Sequence, residues 1–262
     1  MRLILGYLLL IVAWFVPSSH AQSEIVDEVE ANPGRPTVST PANLSPVGYL
    51  QFETGVLGAS HSPEFSSRYG VNEVIKLPVT PRIELIAAAE PLVHYRAGGV
   101  SANGTAEVFL GVQTVVSRGE GARPTIAASY FRRVYDGGVP ELDFGSPRNS
   151  LLLLASADVK GFHYDANALF NEQTQEAVHR TQFGQTLSIS HHVVGKFSLS
   201  GEIWHFTQPF LHSHAVGNLW AIGYNVRKNI VFDAGFNRGL TSTSTRWEAF
   251  AGFTYLLPRR LW

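Results

Sequence analysis

From residue 220 to 257 the chain alternates with a period of two through three successive segments. Trp220, Ile222, Tyr224 and Val226 share one face, against Ala221, Gly223, Asn225 and Arg227. Ile230, Phe232, Ala234 and Phe236 oppose Val231, Asp233, Gly235 and Asn237. Trp247, Ala249, Ala251, Phe253 and Tyr255 oppose Glu248, Phe250, Gly252 and Thr254. Successive side chains of a strand point to opposite sides, so each segment predicts a strand with one greasy face and one small or polar face. The same alternation runs upstream from residue 47. Leu50, Phe52 and Val56 oppose Gln51 and Glu53, and Val108, Leu110 and Val112 oppose Glu107 and Gln113. Phe162, Tyr164, Ala166, Ala168 and Phe170 face away from Asp165 and Asn167. Further segments near residues 65–78, 82–94, 124–133, 150–158, 186–193 and 196–203 bring the expectation to about twelve strands, an even number, as in bacterial single-chain barrels. Leu151, Leu152, Leu153 and Leu154, four leucines in a row, break the pattern.

The connections alternate as well. Short ones fall at residues 80–81, 118–121, 159–161, 195 and 227–229, and longer ones at 58–64, 96–104, 135–149, 172–180, 208–214 and 238–244. Outer-membrane barrels join their strands by short periplasmic turns and longer extracellular loops. The expected fold is therefore all-β, an up-and-down antiparallel transmembrane β-barrel with its N-terminus in the periplasm. Most of the segments approach the ~9–11 residues that a tilted strand needs to cross a bilayer. Closure leaves no unpaired edge in the hydrocarbon, so the apolar set can face lipid and the polar set a central lumen.

Composition agrees. Charged residues make up 16% of the 262-residue chain, below the roughly 25% of ordinary soluble domains. The net charge of −1 gives no reason to expect a nucleic-acid partner. No cysteine is present, which excludes disulfides and thiolate metal sites. Arg2, the apolar stretch 3–16 and Ser19-His20-Ala21 read as a secretory signal peptide over residues 1–21. Residues 22–46 are acidic (Glu24, Asp27, Glu28, Glu30) and then proline-rich (Pro33, Pro36, Pro41, Pro46), which predicts a periplasmic linker. Residues 47–262 would form the barrel, in the outer membrane of a Gram-negative-type bacterium.

Parity places a set of charges inside the lumen: Glu53, Arg68, Arg82, Glu84, Glu107, Arg132, Asp165, Glu202, Asp233 and Glu248. Their signs are mixed, which suggests ion pairs across the lumen more than a selective ring of one sign. Residues 135–149, with Gly137, Gly138, Pro140 and Pro147, are the candidate lid or constriction. His205, His212 and His214 lie near one loop, but no local carboxylate or cysteine completes a metal set, and a solvated loop is the simpler reading. Ser190 and His192 could belong to a lipid hydrolase only with a third, orienting group. No catalytic, cofactor or metal site is assigned.

Several stretches resemble an outer-membrane family named for the meta-pathway of phenol degradation, many of whose members are called transporters. Arg68-Tyr69-Gly70-Val71 and Val79-Thr80-Pro81-Arg82-Ile83-Glu84-Leu85 resemble its early-strand motifs. Phe232-Asp233-Ala234-Gly235-Phe236-Asn237-Arg238-Gly239-Leu240-Thr241 is similar to its penultimate strand, and Phe250-Ala251-Gly252-Phe253-Thr254-Tyr255 to its last. The resemblance covers roughly residues 47–257, and in 125–193 only by alternation. Gly252, Tyr255 and Leu257 resemble the signal read by the barrel assembly machinery, although Phe250 stands where that signal is usually polar. The resemblance implies uptake of aromatic or other small hydrophobic compounds. The expected function is a passive channel for small-molecule solutes in outer-membrane lipid. The alternatives are a structural or surface-interaction barrel that transports nothing and, behind it, a lipid-modifying barrel enzyme.

Overall fold

The computed structural model describes residues 29–175 and 177–262. The expected signal peptide (1–21) and the first part of the linker (22–28) lie outside the described residues. The strands are β1 (Gln51–Ser60), β2 (Ser67–Thr80), β3 (Ile83–Ala97), β4 (Val100–Gly104), β5 (Val108–Ser117), β6 (Thr125–Tyr135) and β7 (Asn149–Val159). They continue as β8 (Phe162–Gln175), β9 (Val178–Val194), β10 (Phe197–Gln208), β11 (Ser213–Arg227), β12 (Ile230–Gly239) and β13 (Trp247–Leu256). Neighbours pair antiparallel, and β1 pairs with both β2 and β13, so the sheet closes on itself.

The barrel has twelve staves although thirteen strands are named. β4 pairs only with the upper half of β3, and β5 pairs with its lower half. The two are parts of one stave, interrupted at residues 105–107. At the extracellular end, β8 and β9 run on as a paired ladder to Gln175 and Val178, so most of the expected loop 172–180 is strand.

The alternation has the expected outcome on the outside. Trp220, Ile222, Phe232, Phe236, Trp247 and Phe253 are all exposed on the barrel exterior, whereas Leu219, Ala221, Asp233 and Thr254 are buried within. An exterior this apolar would be a severe aggregation hazard in water and is the surface that acyl chains solvate. The run of leucines obeys the same geometry. Leu151 and Leu153 are 44% and 48% exposed on the exterior, while Leu152 and Leu154 are 7% and 2% exposed inside. The inner pair packs with Val115 and Ala127 around Ala42 and Leu44, which belong to the segment preceding the barrel. That segment fills part of the lumen, so an apolar inner wall has something to pack against.

Candidate functional site: the lumen, its inner ring and its lid

The described part of the proline-rich segment does not hang below the barrel. It enters at the periplasmic mouth, where the Ala31 N–H donates to the carbonyl of Lys228, and then follows the inner wall. Asn32 exchanges hydrogen bonds with the Gln51 side chain, and the N–H groups of Gly34 and Arg35 donate to Glu53. The Arg35 guanidinium reaches β12 and β2, donating to both carboxylate oxygens of Asp233 at 3.0 and 3.1 Å and to Asn72 at 3.2 Å. The N–H groups of Val38 and Ser39 donate to Glu202 on β10, both at 2.7 Å, and the Ser39 hydroxyl joins them at 2.6 Å. Next come Thr40 with Asn167 on β8, Ala42 with Ser156 on β7, Gln113 on β5 with the carbonyls of Pro41 and Ala42, and Ser45 with Glu84 on β3. The partners pass from β1 to β12, β10, β8, β7, β5 and β3, once around the barrel. Residues 32–45 are thus an inner ring latched by side chains of the wall.

The latch explains the buried polar set. A carboxylate inside a barrel is costly unless donors satisfy it. Glu53, Glu84 and Glu202 accept backbone N–H groups from the ring, and Glu53 also meets Lys76 at 2.5 Å. Space for Arg35 comes from two glycines paired across β1 and β13, Gly55 and Gly252. A Cβ on either would meet the guanidinium, and glycine is the residue that lets another group approach the backbone this closely.

The loop between β6 and β7, residues 136–148, folds inward from the extracellular side. Val139 packs with Val93 and Ala106, Leu142 packs on the Leu57, Ala59 and Phe65 cluster, and the Phe144 ring lies 6.4 Å from that of Phe206. Arg68 donates to the carbonyl of Pro140 at 3.0 Å while holding Glu90 with its other nitrogens. Gln208 donates to the carbonyl of Asp143, Gln173 to that of Phe144, and the Thr245 N–H to the Asp143 carboxylate. The loop anticipated as a lid therefore touches β2, β8, β10 and the β12–β13 connection. Its carboxyls feel the enclosure. Burial, with Glu64 and Glu107 close by, pushes the Glu141 carboxyl up to about 7, and burial also raises that of Asp143 despite the Thr245 N–H.

Between ring and lid lies a cavity of about 450 Å³. Its floor includes Arg35, Pro36, Thr37 and Val38, and its roof Leu142, Phe144, Gly145 and Pro147. The walls combine Leu57, Ile86, Phe109, Phe131, Leu152 and Phe250 with Glu53, Glu73, Glu90, Glu107 and Glu248. An apolar chamber with a few polar groups is the usual make-up of a small-molecule site.

Most of the charges assigned inward by parity are found inside. Glu53, Arg68, Glu84, Asp165, Glu202 and Asp233 are buried, and Glu107 and Glu248 line the chamber. Asp165 meets Ser156 and His163. Two are not. Arg82 sits in the exposed β2–β3 turn and donates to the carbonyl of Val116, and Arg132 lies on the exterior, where it donates to Asn149. Its neighbour Arg133 is the one that turns toward the lid, bonding Ser146 and Asp136. In place of pairs spanning an open lumen, most of the wall charges bond the ring, the lid or a nearby strand. The ring itself was missed. A signal existed, since prolines in place of amide donors suit a segment lodged in a dry interior.

The other candidates fall elsewhere. Nε2 of His205 and Nδ1 of His214 lie 2.9 Å apart on the exterior of β10 and β11, and His212 instead lies near Arg180. Among the described residues no hydrogen bond joins Ser190 to His192, and His191 instead bonds the carbonyl of Gly161.

No family model and no curated protein matches the chain. Solved structures do. An outer membrane channel from Pseudomonas putida F1 aligns with a TM-score of 0.60 and 12% identity, over 87% of this chain and 100% of that one. The NanC porin aligns with a TM-score of 0.52 and 10% identity, over 79% of this chain and 98% of that one. The fold is that of outer-membrane β-barrels. At such identities the likeness speaks for the architecture, and the chemistry must come from this lumen.

Proposed function

We propose that the protein is a passive outer-membrane channel for small, largely apolar solutes, aromatic compounds among them. The observation that carries this reading is the chamber of about 450 Å³, walled by Phe109, Phe131, Phe250, Leu57 and Ile86, inside a lumen whose other latches are polar. Solutes would enter past the lid, rest in the chamber and leave past the inner ring, which acts as the lower gate. The barrel is inserted in outer-membrane lipid by the barrel assembly machinery, and diffusion alone drives transfer. Both solved structures reported above are named as a channel or a porin, which supports the reading.

The test is flux through the purified full chain in liposomes, using benzyl alcohol and a sugar of similar volume. Faster entry of the aromatic solute than in protein-free liposomes, with little entry of the sugar, is the expected result. No flux of either solute, even when the ring is released by substitution, removes the channel reading. One observation favours a second reading, a barrel that transports nothing. Ring and lid are both latched to the wall by several hydrogen bonds, and a structural barrel needs nothing to loosen them. The same flux experiment separates the two.

A further inference from the structure

We propose that the chamber selects solutes that carry a hydrogen-bond donor, above all a primary ammonium group, on an apolar or aromatic body, and that it discriminates against aromatic carboxylates. The inference rests on the chamber being where solute binds, and it adds which solutes bind there.

The argument begins with the charges at the wall. Two cations line the chamber, and both are engaged: Arg35 by Asp233 and Lys76 by Glu53. Glu90 is neutralised by Arg68. Three wall carboxylates remain with no salt bridge among the described residues. Glu73 accepts only the Thr54 hydroxyl, Glu248 has only the Asn237 side chain, and for Glu107 no hydrogen bond is found among the described residues. The loop that supplies the roof carries two further carboxyls, Glu141 and Asp143, both in the field of Glu64 although neither lines the chamber. Burial first, and then the charges of Glu64 and Glu107, raise the affinity of Glu141 for its proton.

An independent observation points the same way. Asn171 lines the chamber at 3% exposure, its amide nitrogen donates to Gln182, and its Oδ1 has no partner. Buried polar atoms without partners are rare in folded proteins, and this one is an acceptor. The unmet groups on the wall are thus all of one kind. They ask for an N–H or O–H, and an added anion would meet only repulsion in a low-dielectric enclosure.

The probes are three molecules with one phenyl body: 2-phenylethylamine, 2-phenylethanol and 3-phenylpropanoate. Binding to the full chain in detergent at pH 8 is followed by calorimetry. The amine is expected to bind about tenfold or more tightly than the carboxylate, the gain of one charge-assisted hydrogen bond, with the alcohol between them. In E73Q/E107Q/E248Q the advantage of the amine should shrink to about threefold or less, with the alcohol nearly unchanged. E107Q alone sits just before β5 and tests the same point if the triple variant does not fold; it should narrow the gap by about threefold. Equal or tighter binding of the carboxylate overturns the proposal, as does an amine preference that survives the substitutions or a failure of all three probes to bind. Because binding is measured without flux, a chamber that binds amines in a barrel that conducts nothing would refute the channel while leaving the selectivity intact.

Discussion

Glu202 is the strongest single latch of the inner ring, and its removal tests whether the ring is a gate. It accepts the N–H groups of Val38 and Ser39 and the Ser39 hydroxyl, all between 2.6 and 2.7 Å. Glu202→Ala leaves two backbone donors without an acceptor while the ring stays docked; the hydroxyl keeps Thr186. Hydrogen bonds to a charged group contribute about 1.5–3 kcal/mol each. Taking the low end for the two backbone donors gives roughly 3 kcal/mol, because burying the carboxylate itself is unfavourable and is relieved by the substitution. At about 1.4 kcal/mol per factor of ten, the undocked fraction of the ring rises about a hundredfold. Glu202→Gln keeps one acceptor oxygen and should give about a tenfold rise. In planar bilayers the order of open-state occupancy should be Ala above Gln above the parent chain. Deuterium uptake across residues 32–45 should rise in the same order. Unchanged conductance in the Ala variant together with faster amide exchange would mean that the ring moves without controlling passage, and the gating argument would fail.

Three further outcomes follow from the geometry. Gly55→Val removes the seat of the Arg35 guanidinium without touching an acceptor, so it should raise conductance as Arg35→Ala does, and the two together should add nothing; additive effects would refute the shared cause. Gly217→Ala forces a Cβ into the buried Trp204 indole, whose Nε1–H holds Asn237 at 2.8 Å; overpacking should cost about 1–3 kcal/mol, read as a lower urea midpoint, and an unchanged midpoint counts against it. The lid should respond to pH. Glu141 and Asp143 bind protons more tightly in the docked lid than when released, so their contribution to docking is fully present below about 4.5, the ordinary value for Glu141, and is lost as pH rises through about 7, while the apolar and hydrogen-bond contacts of the lid remain. The groups facing them are Glu64, Glu107, Arg133 and Glu248. Val139→Cys, in a chain without other cysteines, should be labelled faster at pH 8 than at pH 5.5 relative to an exposed Gly98→Cys control; equal ratios would remove the effect.

The barrel was legible because lipid and lumen impose opposite demands on alternate residues, and Trp220, Ile222 and Phe232 against Asp233 and Thr254 carry that contrast openly. Parity failed where two like residues stand side by side. Arg132 and Arg133 are equivalent to a pattern reader, because apolar residues stand on both faces of β6, Ala127 and Phe131 inside against Ile126 and Tyr130 outside. Arg82 was lost to a boundary, since β2 ends at Thr80 and β3 begins at Ile83. The inner ring left no periodic trace at all. Its bonds join residues far apart in sequence, as Ser39 and Glu202 are, and nothing local to residues 32–45 encodes that distance.

Yet the composition of the ring has a physical logic once its place is known. A chain segment lodged inside a barrel must satisfy each backbone donor, because little water is there to do so. Proline brings no donor, and Pro33, Pro36 and Pro41 remove three demands from this stretch. The donors of Asn32, Gly34, Arg35, Val38, Ser39, Thr40, Ala42 and Ser45 are met by side chains of the wall. Proline also restricts the released segment, so docking costs less conformational entropy than it would for a flexible chain. A twelve-stranded barrel is too wide to be packed by its own side chains in the manner of an eight-stranded one, and too narrow to be a wide aqueous pore. A ring held by hydrogen bonds, with few amides of its own to leave unpaired and with Val38, Ala42 and Leu44 packed on the wall, narrows that lumen. Because the latches at Glu202 and Arg35 are side-chain hydrogen bonds outside the barrel's own ladder, the proposed gate would move without opening the wall.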